Sequence, residues 1–133
     1  AISFCSFCMS DSPQQAAVAG VRFLIEGKYD NLLEMAARPD GITNEEFEAK
    51  KRELFRLLQS RDDECCSSVA RVRQNGGINE MITNTPESMS VFTNDDQTEA
   101  EMNIVVVCHN GDTIDGGYVK VKKQNGEWKI VIL

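Results

Sequence analysis

The strongest constraint on this chain is a pair of Asn-Gly dipeptides in its last third. Asn110-Gly111 and Asn125-Gly126 each lie between runs of Val, Ile, Thr and Tyr. A two-residue type I′ hairpin turn needs positive φ at both central positions. Asn and Gly meet that need at the least steric cost, so such a pair between β-rich runs reads as an antiparallel hairpin. The two turns also set parity, because opposed residues share a face and successive residues alternate.

With a two-residue loop at Asn110-Gly111, His109 faces Asp112, Cys108 faces Thr113, Val106 faces Asp115 and Ile104 faces Gly117. With another at Asn125-Gly126, Lys123 faces Trp128, Val121 faces Ile130 and Val119 faces Ile132. One face then collects Met102, Ile104, Val106, Cys108, Val119, Val121, Trp128, Ile130 and Ile132, which is the face for helices to cover. The other carries Glu99, Glu101, Asn103, Lys120, Lys122, Glu127 and Lys129, together with Val105, Val107, Ile114, Tyr118, Val131 and Leu133. Those apolar members suggest cover by another subunit or a chain end, or else scattered exposed aliphatics. Asp115 is the polar intruder on the inner face. Burial would raise its pKa and make it a catalytic candidate, whereas a bulge at Gly116-Gly117 would turn it outward.

Ahead of this meander the period is helical. Ser12-Pro13-Gln14-Gln15 is a capping box with proline at the first helical position, and Gly27 is a stop. Asp30 caps a short second helix, and Arg38-Pro39-Asp40-Gly41 breaks it. Thr43 and Glu46 form a second capping box before a helix with Phe47, Leu54, Phe55 and Leu58 on its apolar stripe. Glu46 with Lys50 and Glu48 with Arg52 give that helix a solvated charged face. Residues 62–75 continue as a further helix, closed by Gly76-Gly77. Strands are expected near 78–83, 88–94, 99–109, 112–124 and 127–133. Helices followed by strands specify an α+β fold, with N-terminal helices packed on a curved antiparallel β-meander.

At 133 residues the chain is one domain, residues 12–133, preceded by an apolar lead-in over 1–11. The net charge of −7, with no basic stripe, points away from nucleic acid. No stretch reaches the roughly 18 apolar residues of a membrane span. The lead-in resembles the end of a secretory h-region, which favours an extracytoplasmic location and limits any membrane anchoring to the N-terminus. Of the five cysteines, Cys5, Cys8, Cys65, Cys66 and Cys108, the first two have Cys-x-x-Cys spacing. They lack a preceding strand and a second pair, so they read as plain thiols, with disulfide and lipidation states open.

The capped helix leading to Glu26-Gly27-Lys28-Tyr29-Asp30, and the closing strands Tyr118-Val119-Lys120-Val121-Lys122 and Asn125-Gly126-Glu127-Trp128-Lys129-Ile130, resemble the nuclear-transport-factor-2-like superfamily. Within it the likeness is to short, uncharacterised exported proteins and lipoproteins of bacteria, some described as lumazine-binding-like. The resemblance implies a cystatin-like cone with a cavity between sheet and helices. It carries over no catalytic motif, and fold alone does not fix function.

The residues themselves name no reaction. His109 stands at a hairpin shoulder, no phosphate loop or nucleophile elbow occurs, and neither metal nor cofactor ligands are arranged for binding. The expected function is that of a non-catalytic exported domain. It would bind a small molecule through a cavity lined by Met102, Ile104, Val119 and Trp128, or a protein partner through its sheet. The alternatives are an isomerase or dehydratase using Asp115, and a structural module that dimerises through Val105, Val107 and Tyr118.

Overall fold

The structure, a computed structural model, describes residues 12–61, 67–83 and 90–133. The lead-in with Cys5 and Cys8, the pair Cys65-Cys66, and the start of the strand expected near residue 88 lie outside the described residues. Four helices, α1 (Pro13–Glu26), α2 (Tyr29–Glu34), α3 (Asn44–Ser60) and α4 (Ser68–Gln74), precede four strands. These are β1 (Ile78–Thr83), β2 (Glu99–Cys108), β3 (Thr113–Gln124) and β4 (Glu127–Ile130). The sheet is antiparallel throughout, in the order β1-β2-β3-β4.

Helix α1 starts where the Ser12 side chain accepts the Gln15 N–H at 3.1 Å, which is half of the expected box. It ends where Gly27 takes φ 76° and Lys28 N donates to Phe23 O at 2.8 Å. Its buried face is built of small residues, Ala16, Ala17, Ala19 and Gly20. Small residues let the helix axis approach the sheet, and at Gly20 any Cβ would overlap the Ile130 side chain. The Thr43–Glu46 box at the start of α3 is complete. Two smaller expectations are corrected. Lys28, not Asp30, is the N-cap of α2, with Asp30 in its first turn, and Glu48 pairs with Lys51 at 2.6 Å rather than with Arg52.

Helix α3 buries no residue fully and touches the body through an edge-on contact of Phe55 with Tyr29, ring centroids 6.3 Å apart. Helix α4, capped by Ser67, buries Val72. The core has two parts. One joins Ala16, Ala17 and Leu32 to Ala100, Met102, Ile104, Val121, Trp128 and Ile130. The other joins Ile25 and Val72 to Val106, Cys108 and Ile114.

The β3–β4 hairpin has the expected register, with Lys123 opposite Trp128 and Val121 opposite Ile130. Its ladder stops there, so Val119–Ile132 is not a strand pair. Instead β4 turns to the helical layer: Ile130 N donates to Met35 O at 2.7 Å and Ala37 N to Ile130 O at 2.6 Å. Gln124 reinforces this by exchanging two bonds with the Arg38 backbone, each 2.9 Å. The segment after α2 thus covers an edge strand that would otherwise expose free backbone groups.

The β2–β3 hairpin departs from expectation and then returns to it. Cys108 N donates to Asp112 O at 2.8 Å, so the loop takes in His109–Asp112 rather than two residues. Next to that loop Val106 faces Ile114 and Val105 faces Asp115, one residue out of the expected register. A bulge at Gly116-Gly117 absorbs the slip, and beyond it Asn103 faces Tyr118 and Met102 faces Val119, as the two-residue loop required. Gly117 has φ 81°, and a Cβ on Gly116 would press on the Ile104 carbonyl oxygen at 2.9 Å. The consequence is an exchange of faces. Ile114, expected on the outer face, is buried in the second core cluster, and Asp115 points outward.

The strand expected near 88–94 is, among its described residues, a single bridge between Phe92 and Ala100. It is flanked by the bonds Thr93 N to Glu99 O and Glu101 N to Val91 O, both 2.9 Å.

Candidate functional site

The four residues expected to line a cavity share one region of the molecule, the inner side of the sheet. Met102, Ile104 and Trp128 are buried in the larger core cluster, and Val119 is half-buried against it. Phe92 lies beside Trp128, ring centroids 6.1 Å apart, closing the sheet side. Among the described residues no polar or charged residue is buried as a whole, although Asn103 Oδ1 is shielded from solvent without a hydrogen-bond partner.

Two clefts on the described surface lie elsewhere. One of about 550 Å³ runs between α1, α2 and α3 past Gly27, Tyr29, Phe55 and Arg73. Another of about 780 Å³ separates the β3–β4 turn from the loop before α3, between Arg38, Asp40, Gln124 and Lys129. Met102, Ile104, Val119 and Trp128 line neither.

The two ionisable candidates lie at the surface. Asp115 is exposed, and its Oδ1 accepts the Gly117 N–H at 2.8 Å, holding the bulge. His109 is exposed on the β2–β3 loop. Glu46 has its carboxyl held below the usual range because the Thr43 backbone N–H donates to it, which is a helix cap rather than a reactive site. Among the described residues no three His, Cys, Asp or Glu side chains gather to hold a metal ion. Cys108, the described cysteine, is 1% exposed.

What the sheet does present is its outer face. Alternation along β2 buries Met102, Ile104, Val106 and Cys108, and so turns Val105 and Val107 outward, where both are half-buried. Val105 sits between Ile82 of β1 and Asp115 of β3, and Val107 between Glu80 and Thr113. Tyr118, opposite Asn103, is 75% exposed. Ile82 of β1 at 44% and Val131, just past the end of β4, at 37% are further exposed apolar side chains. At the other end of the same face the rows are charged, with Glu101 opposite Lys120 and Glu99 opposite Lys122, which itself faces Lys129.

The structure therefore places Val105, Val107 and Tyr118 on one surface, and Met102, Ile104 and Trp128 beneath it in the core. Sequence reasoning missed Ile82. In Asn79-Glu80-Met81-Ile82 both parities carry an apolar residue, so only the pairing of Ile82 with Val105 assigns its face. No helix among the described residues is long and apolar enough to cross a membrane.

No protein-family model matches the sequence, and no curated protein matches it by sequence. A solved structure does match in shape: an NTF2-like protein of Campylobacter jejuni, described as a transpeptidase, superposes with a TM-score of 0.63 at 13% identity. The match covers 92% of this chain and 99% of that one.

Proposed function

This chain has the nuclear-transport-factor-2-like fold, which ligand-binding and enzyme domains share, and on that premise we propose a non-catalytic interaction domain that packs its outer sheet face on a second copy of itself. The observation that carries this reading is the contrast between the two faces. The inner face is lined with apolar side chains, and no polar or charged residue is buried there among the described residues. The outer face exposes Tyr118, Ile82 and Val131 around half-covered Val105 and Val107. Aromatic and aliphatic side chains at a sheet surface are what an interface core requires. The rows Glu99–Lys122 and Glu101–Lys120 offer both signs of charge on adjacent strands.

The activity attached to the similar Campylobacter structure does not supply a better reading. Transpeptidation through a covalent intermediate needs an accessible nucleophile with an activating base. Among the described residues Cys108 is buried between α4 and the sheet, and His109, its neighbour in sequence, faces solvent. An isomerase would need a carboxylate in the interior, and Asp115 stands on the outer face.

Sedimentation velocity over a range of protein concentrations tests the proposal. The chain is expected to dimerise, and Val107→Lys is expected to leave a folded monomer. A wild-type chain that stays monomeric at every concentration, or a Val107→Lys dimer as tight as wild type, removes this face from consideration.

A further inference from the structure

We infer that Asn125 is a site of spontaneous deamidation whose product loosens the last hairpin, and that the fold protects the other two Asn-Gly pairs from the same reaction. The sequence holds three such pairs, Asn75-Gly76, Asn110-Gly111 and Asn125-Gly126. In each, the backbone nitrogen of the glycine can attack Cγ of the asparagine amide, unhindered by a side chain. The N–Cγ bond forms, the Cγ–Nδ2 bond breaks, and ammonia leaves with the proton of the glycine amide. Water then opens the cyclic imide at either carbonyl, giving aspartate or isoaspartate. Water is the only other reactant.

The pairs differ in what must be undone first. Asn110 Nδ2 donates to Asn75 Oδ1 at 2.7 Å, and Asn110 Oδ1 accepts the Asp112 N–H at 3.0 Å. Asn75 Nδ2 donates to Arg71 O at 2.7 Å, so the two amides brace each other and are both tied to backbone. The attacking nitrogens are occupied as well: Gly111 N donates to Cys108 O at 2.9 Å and Gly76 N to Arg73 O at 3.3 Å. At Asn125 neither the side-chain amide nor the Gly126 N–H makes a hydrogen bond. Both residues are exposed at the tip of a two-residue turn, with φ 53° and 79°. That turn must flex for the nitrogen to reach Cγ, but no bond has to open.

The product matters because of where it forms. A carboxylate replaces an amide in the cleft that Arg38, Gln124 and Lys129 also line. Isoaspartate inserts an extra carbon into the backbone of the turn that sets Lys123 opposite Trp128. The altered turn no longer fits the I′ geometry that matches strand twist.

The test is to incubate the folded chain at mildly alkaline pH and physiological temperature, then cleave it so that each Asn-Gly pair falls in its own fragment. Deamidated mass and isoaspartate are measured in each fragment over time. Asn125 is expected to convert first, with Asn75 and Asn110 slower by at least about tenfold, since each hydrogen bond to be opened is worth about two- to tenfold. In denaturant the three rates are expected to converge. Asn110→Ala, with its fold checked by circular dichroism, is expected to accelerate conversion at Asn75. Conversion of Asn75 or Asn110 as fast as Asn125 in the folded chain overturns the inference, as does an intact Asn125. An unchanged Asn75 rate in Asn110→Ala overturns the bracing.

Discussion

The β2–β3 and β3–β4 hairpins turn on the same dipeptide, yet their surroundings hold them differently. At Asn125-Gly126 the loop is two residues long, the amide is free, and the register comes from Trp128 and Ile130 in the core and from Gln124 clasping the Arg38 backbone. At Asn110-Gly111 the loop widens to take in His109–Asp112 and is tied to the end of α4 through Asn75. The slip this causes is taken out six residues later by the bulge at Gly116-Gly117. A turn dipeptide therefore marks where a chain reverses. The register is decided by which side chains the core accepts, and here it accepts Ile114 and rejects Asp115.

Replacing Trp128 strikes the β3–β4 hairpin hardest. Trp128→Ala is expected to cost about 3–5 kcal/mol in urea unfolding, the range for deleting a buried large aromatic. A loss under about 1 kcal/mol would mean that the turn, not the core, sets this register. The bulge comes next. Gly117→Ala places a Cβ at φ 81° and is expected to cost about 1–2 kcal/mol, with Asp115→Ala adding about 1 kcal/mol through loss of the acceptor for Gly117 N–H. Were both neutral in thermal melts, the bulge would not be what restores the far half of the ladder.

A paired substitution sharpens the contrast between the turns. Asn110→Gly should destabilise by about 1–2 kcal/mol more than Asn125→Gly, because only the former gives up side-chain hydrogen bonds. Equal effects would erase the distinction. The smallest effect lies outside the hairpins and serves as a control. Glu46 titrates below its ordinary 4.5 because the Thr43 N–H and hydroxyl favour the carboxylate, so its contribution is present above about 4.5 and fades as pH falls through the lower folded value. Thr43→Ala removes the hydroxyl but keeps the backbone N–H, so it should weaken that small dependence without abolishing it and leave both hairpins untouched, as read by stability measured at a series of pH values.

The parts of the fold legible from sequence were those governed by local chemistry. Ser12, Gly27 and the Thr43–Glu46 box set helix ends because cap hydrogen bonds involve near neighbours. The β3–β4 pairing followed from alternation and one tight turn. Ile114 was misplaced because a loop of unknown length cannot fix parity near itself. The far half of β2 with β3 still matched, because the bulge cancels the slip. The clasp of residues 35–38 on β4 depends on contacts far apart in sequence and left no local trace. Of the site, Val105, Val107 and Tyr118 were readable as one surface by parity, whereas Ile82 needed the β1 pairing. That Met102, Ile104 and Trp128 join Ala16, Ala17 and Leu32 in one cluster depends on how the helices dock, about which alternation says nothing.

The outer sheet face is the claim on which the functional reading rests, and Tyr118 is its reporter because it is 75% exposed in the single chain. Hydroxyl-radical footprinting of Tyr118 against protein concentration addresses it directly. On this account protection of Tyr118 rises with concentration while the exposed His109, away from the face's centre, stays reactive throughout. Reactivity of Tyr118 that does not change from dilute to concentrated solution would contradict it.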